Sequence, residues 1–255
     1  MRYLIKFSYD GSNYVGYQKQ GNMHTIEKAL EDAATKINDN KKVKITATGR
    51  TDKKVHAKCQ YAHLNIDVKI TPHKLKRAMN SNLDDDIHVI EAYLVKDDFH
   101  ARYNVVSKTY KYIINTGEFN PIERNYVYQY NYNLDIDKMN KAIKYFIGEH
   151  DFRAFVTENV DKDNCVREIY EANVEKDIKD NDKYVITFRG NGFMRYQVRN
   201  MVGLLIKVGQ GKIDVEKVKE ILESKSRKQN GVTAKAEGLY LVDVEYKDLE
   251  KFIIN

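Results

Sequence analysis

Apolar residues recur at every second position over Tyr3, Ile5, Phe7 and Tyr9, the period of a strand with one buried face. The period then lengthens: Ile26, Ala29, Leu30, Ala33 and Ile37 share one face of a helix that Thr25 opens. Two strand-like runs follow, Val43 to Thr48 and Cys59 to Ile66. Thr71 and Pro72 then pair an N-cap with a proline in the first turn, which predicts a helix through Leu75, Ala78 and Met79. A further strand covers Ile87 to Val95, and the order so far is β-α-β-β-α-β. The same order then recurs. Tyr110 to Asn115 predicts a strand, and Asp135 caps a helix carrying Met139, Ala142, Ile143, Phe146 and Ile147. Strands fit Arg167 to Val174 and Tyr184 to Arg189. An apolar helix through Val198, Met201, Val202, Leu205 and Ile206, a shorter one from Asp214 to Leu222, and a strand from Leu239 to Tyr246 complete the second set.

The doubled order predicts an α+β fold of two ferredoxin-like halves joined through a shared, mainly antiparallel sheet. Helices lie on one face, and the opposite face is left for a ligand. The halves are expected over residues 1–104 and 105–255 and together form one functional unit.

Composition narrows the classes. A chain of 255 residues with 42% hydrophobic residues can bury one large core or two small ones. Its formal charge of +6 favours a polyanionic partner without requiring one. The opening MRYLIKFSYDG has no apolar run of signal-peptide length, and no run approaches 18 apolar residues, so a cytoplasmic chain that does not enter a membrane is expected. Cys59 and Cys165 are too far apart for a CxxC pair. His56, Cys59 and His63 invite a metal, but strand alternation sets His56 on the face opposite Cys59 and His63, and no metal is expected. Neither a phosphate-cradling glycine loop nor a GxSxG elbow is present.

Three stretches carry candidate chemistry. In GRTDKKVHA, Asp52 stands between Arg50 and the pair Lys53-Lys54, where one strand gives way to the next. It is either an Asx-turn residue with Arg50 as a solvated partner, or a carboxylate kept ionised by a guanidinium for nucleophilic or base chemistry. In GNGFMRYQVRNMVG, Arg195 and Arg199 are four apart at the start of an apolar helix and are expected to share a face. They either snorkel to solvent or reach a carboxylate or phosphate. In SKTYKYII, Tyr110 and Tyr112 alternate with Lys108 and Lys111. Such a strand suits single-stranded RNA, although Tyr112 is expected to be ordinary sheet packing.

Five stretches in order, YDGSNYVGYQKQ, GRTDKKVHA, DDFHARY, GFMRYQVRNMVG and TAKAEGLYLVDVEY, resemble the TruA family of tRNA pseudouridine synthases. NSNLDDDIHV and GEHDFRAF are weaker echoes, and the likeness covers nearly the whole chain. The resemblance implies two ferredoxin-like halves with an RNA-binding cleft, and isomerisation of uridine to pseudouridine without cofactor or metal. The family works as a homodimer on the anticodon arm of tRNA, at positions 38, 39 and 40. Asp52 matches the family's catalytic aspartate, Tyr110 the tyrosine that stacks on the target base, and Arg199 the basic partner of the aspartate. Arg50 fits the RNA-contacting, base-flipping arginine, with Lys53, Lys54, His56 and Arg195 also expected on the RNA side.

Lys54 departs from the family pattern by replacing a glycine, and Lys53 by replacing a small residue. Tyr17 stands where tryptophan is usual, and Lys108 where arginine is common. If the glycine position is left-handed, lysine there costs roughly 1 kcal/mol. The altered turn bears on substrate choice, so a relative acting on another RNA such as ribosomal RNA, or an inactive RNA-binding homologue, is the alternative.

Overall fold

The computed structural model describes residues 1–157 and 165–254. The fold is mixed α+β, its strands mostly antiparallel. The chain divides into two compact units, Met1–Val106 with Leu241–Asn255, and Ser107–Tyr240.

The first unit runs β1 (Arg2–Tyr9), α1 (Ile26–Ile37), β2 (Ile45–Ala47), β3 (His56–Asn65), α2 (Pro72–Asn80) and β4 (Ile87–Val95). This is the expected β-α-β-β-α-β order. Its strands lie β4-β1-β3, with β2 on the far side of β3. All three pairings are antiparallel, and Arg2 faces Asn65 while Tyr9 faces Ala57. The β1–β3 register shifts between Phe7 and Tyr9, just before the chain leaves the sheet. The helices start where their caps predict. The Thr25 hydroxyl accepts from Lys28 N at 3.3 Å, and Thr71 caps α2 in the same way ahead of Pro72. Ile26, Leu30 and Ala33 of α1 and Leu75 and Met79 of α2 are buried. The two helices touch, which places them on one side of the sheet.

The second unit follows with β5 (Val105–Asn115), β6 (Tyr128–Gln129), α3 (Ile136–Ile143), β7 (Gly148–Asp151), β8 (Val166–Lys176), β9 (Lys183–Gly190), α4 (Gln197–Gly209), α5 (Val215–Ser224) and α6 (Arg227–Asn230). Strand β5 pairs antiparallel with β9, β9 with β8, and β8 with β7, while the short β6 lies parallel on β5. Asp135 caps α3 by accepting from Lys138 N at 2.9 Å. The helix stops at Ile143, and Phe146 falls in a 3-10 turn behind it. Phe146, Phe152, Phe155 and Phe188 are fully buried together. Helix α4 is buried nearly all round, as its apolar sequence requires.

The last strand, β10 (Leu239–Tyr246), lies beside β3, so Leu241–Asn255 packs with the first unit. The sequence reading assigned this segment to the second half because chain order alone carries no record of where a final strand docks. Within the first unit, the Tyr246 ring meets Tyr61 edge-on at 5.3 Å, and its hydroxyl donates to Ala101 O at 2.8 Å.

Candidate active site

The Asp52 stretch is a tight turn entering β3. Val55 N donates to Asp52 O at 3.2 Å, closing a β-turn with Lys53 and Lys54 at its centre. Of these two, Lys54 alone has positive φ, at +65°, which is the pattern of a type II turn. The left-handed position suggested by the missing glycine is therefore real, and a lysine occupies it. Asp52 is half-buried, Arg50, Lys53 and Lys54 are exposed, and Val55 is buried.

Residues 9–17 hold this turn in place. Tyr17 N donates to Thr51 O at 3.1 Å, and the Tyr9 hydroxyl meets Thr51 Oγ1 at 2.7 Å. Gly16 lies over the Asp52–Lys53 peptide at φ +123°, and a Cβ there would stand 3.2 Å from Thr51 O and 3.3 Å from Lys53 N. Gly11 approaches Val55 more closely still, since its Cβ would fall 2.1 Å from Val55 O. The glycines of YDGSNYVGYQKQ thus serve the turn that carries Asp52. On the other side, buried Gln60 bonds Thr48 Oγ1 and donates to Gly49 O at 3.1 Å. Tyr17 fills the core at 1% exposure, and its hydroxyl has no hydrogen-bond partner among the described residues.

His56, expected on the RNA side, lies buried behind the turn. It is 2% exposed, with Nδ1 3.1 Å from both Gly11 N and Asp10 Oδ1. The neutral ring accepts from Gly11 at that nitrogen, and the protonated ring donates to Asp10. Either way it ties the 9–17 segment to the start of β3. His63 accepts from Ala101 N at 3.1 Å and meets the His100 ring at 4.7 Å. Burial, then the neighbouring His100 and Arg2, lower its pKa to about 4. Among the described residues, no three His, Cys, Asp or Glu side chains cluster as metal ligands.

In the second unit, Tyr110 lies in β5 opposite Phe188, 7% exposed, with the edge of Phe193 at 5.2 Å. Tyr112 is fully buried and donates to Lys235 O at 2.9 Å, the packing role expected of it. The loop carrying Phe193 ends at Tyr196, whose φ of +64° starts α4, and Gln197 Oε1 fastens the loop by accepting from Met194 N at 2.9 Å.

Arg195 precedes α4, so it and Arg199 do not share a helix face as their spacing predicted. They converge instead on Tyr196, each guanidinium 5.1 Å from the ring centroid. The sequence reading passed over Tyr196, and an aromatic residue between two arginines was the available signal. Arg199 is fixed further by a reciprocal pair: its Nε donates to Ala234 O at 2.8 Å, and Ala234 N donates to Arg199 O at 3.0 Å. Those two bonds connect the last of the five stretches, beginning at Thr233, to the fourth.

The predicted residues thus form two groups. Arg50, Asp52, Lys53 and Lys54 share the turn of the first unit, with His56 buried behind them. Tyr110, Arg195 and Arg199 belong to the second, joined through Phe193, Tyr196 and the loop between them.

Comparison with known proteins agrees with the motifs. The family model described as "tRNA pseudouridine synthase" matches residues 5–104 and 142–247. A protein of Streptococcus equi subsp. equi named tRNA pseudouridine synthase A is 41% identical over 248 residues, covering 97% of this chain and 99% of that one. A Listeria monocytogenes protein of the same name is also 41% identical, covering 96% and 99%. One from Streptococcus agalactiae is 38% identical over 252 residues, covering 98% and 97%. A solved chain from "Crystal Structure of a Cbf5-Nop10-Gar1 Complex" matches 97% of this chain and 51% of its own, at 13% identity and a TM-score of 0.39, a likeness too slight to add to these.

Proposed function

Because the chain belongs to the tRNA pseudouridine synthase family, we propose that Asp52 is its catalytic carboxylate, acting on uridines 38, 39 and 40 of the tRNA anticodon arm. The enzyme is an isomerase that converts uridine in tRNA to pseudouridine. The observation that carries the proposal for Asp52 is its mounting. A half-buried carboxylate stands on a type II turn that Tyr17, Gly16 and Tyr9 fix from one side and Gln60 from the other. Such preorganisation suits a group that must meet a reacting sugar or base carbon.

In the proposed reaction the C1′–N1 bond breaks, the uracil turns, and a C1′–C5 bond forms. C5 loses its proton and N1 gains one, so composition is unchanged and no cofactor or metal is called for. The target base leaves its stack to reach a carboxylate. Tyr110 supplies the ring for it to rest on, Arg199 the cation that keeps Asp52 ionised, and Arg50 the side chain that occupies the vacated place. The exposed Lys53 and Lys54, together with Arg195, hold phosphates. We place the enzyme in the cytoplasm as a homodimer. No helix among the described residues is long and apolar enough to cross a membrane.

Incubating the purified chain with unmodified tRNA transcripts and mapping pseudouridine chemically tests the target. Product at positions 38 to 40 is expected. Product confined to another RNA, such as ribosomal RNA, would move the target and implicate the Lys53-Lys54 turn. Tight, salt-sensitive RNA binding with no product on any RNA would identify a binding protein.

A further inference from the structure

A cavity of about 190 Å³ opens on the second unit between residues 153–157 and 225–228. Four cations line it, Arg153, Lys225, Arg227 and Lys228, together with the hydroxyls of Ser226 and Thr157. Asp151 pairs with two of them, 3.2 Å from Arg153 Nη2 and 3.7 Å from Lys225 Nζ.

Arg227 is held differently. Its Nη2 donates to two neutral acceptors, Asn200 Oδ1 at 3.2 Å and Thr233 Oγ1 at 3.1 Å. Its Nη1 is buried and has no hydrogen-bond partner among the described residues. Burial lowers the guanidinium's pKa, and among the described residues no carboxylate pairs with it. An arginine stays charged, and a cation beside the cavity attracts an anion into it. The cavity is smaller than the roughly 300–1,000 Å³ of small-molecule sites, which suits one tetrahedral anion better than a whole nucleotide.

We propose that this cavity is a phosphate-binding site, in which Lys225, Lys228 and Ser226 meet the anion and the charge of Arg227 behind them attracts it. The phosphate is either a backbone phosphodiester of bound RNA or free inorganic phosphate. The site is mechanically joined to Arg199. Arg227 and Thr233 both bond to Asn200, the residue after Arg199, and Ala234, the residue after Thr233, exchanges two bonds with Arg199. A phosphate bound there stiffens the mount of a residue that the proposed reaction uses.

The test uses the full chain and the double substitution Lys225→Gln with Lys228→Gln, which leaves Arg227 and its partners in place. Lys219→Gln, on the exposed part of α5, is the control. In the first arm, melting is followed against inorganic phosphate at matched ionic strength. Wild type and control should show a saturable rise, and the double variant should need about tenfold more phosphate. In the second arm, tRNA affinity is measured against salt. Loss of a phosphodiester contact should lower the slope of log affinity on log salt by about 1 in the double variant alone. A response in the first arm only assigns the site to free phosphate, and in the second only to the RNA backbone. If the double variant matches wild type in both arms, the site does not exist.

Discussion

Lys54 occupies the third position of a turn that asks for glycine, and replacing it isolates one physical quantity. At φ +65° a Cβ crowds its own backbone, at a cost of roughly 1–2 kcal/mol for an L-residue. Lys54→Gly removes that cost, while the greater freedom of glycine in the unfolded chain takes back roughly 0.5–1 kcal/mol. The net expectation is a stabilisation of about 0.5–1 kcal/mol. For a chain of this size, that raises the melting temperature by roughly 1–4 °C. Lys54→Ala is the control, because it removes the same charge and stem but keeps the Cβ. Urea and thermal unfolding of the three proteins should rank glycine above alanine, with alanine near wild type. Both variants should retain the wild-type rate on tRNA, and each should lower the salt slope of tRNA affinity by up to about 1 if Lys54 holds a phosphate. Glycine no more stable than alanine would refute the backbone argument.

The remaining expectations concern the supports of the same unit. Gly16→Ala places a Cβ against Thr51 O and Lys53 N at φ +123°, so it should destabilise by about 2 kcal/mol and cut product formation more than about tenfold. Wild-type rate and melting would show that the 9–17 segment does not position Asp52. Tyr17→Phe removes a buried hydroxyl that lacks a described partner and should stabilise by about 1 kcal/mol in urea unfolding, whereas a loss would mean that the hydroxyl is satisfied. His63 titrates at about 4 when folded, against 6.5 in the unfolded chain, so its contribution is flat above pH 7. As pH falls below 6.5 the unfolded chain binds the proton first, which removes about 2 kcal/mol between pH 7 and 5. His63→Gln should flatten that part of the stability profile, and identical profiles would contradict the burial argument.

The elements that sequence disclosed best were those whose signals are local. The strands Ile87–Val95 and Leu239–Tyr246 stand where alternation put them, and Thr25, Thr71 and Asp135 cap the helices they were expected to open. What escaped was short or tertiary. Tyr128–Gln129, Gly148–Asp151 and Arg227–Asn230 are too brief to show a period. Tyr196 begins α4 in a left-handed conformation without a side-chain cap, so FMRYQVRN looked like uninterrupted helix and Arg195 was placed inside it. The burial of His56 depends on Gly11 and Asp10, which are remote in sequence. For the turn, the Lys54 departure from a family glycine did carry the backbone conformation, because only sterics make that position prefer glycine.

Single-turnover pseudouridine formation by Asp52→Asn, on the tRNA transcript that wild type modifies best, tests the central claim most directly. The substitution keeps size and one acceptor oxygen, turns the other into a donor, and removes the charge. With enzyme in excess and RNA binding checked on the same samples, product should fall below detection while tRNA affinity stays within about threefold of wild type. Product formed at the wild-type rate would contradict the assignment of Asp52.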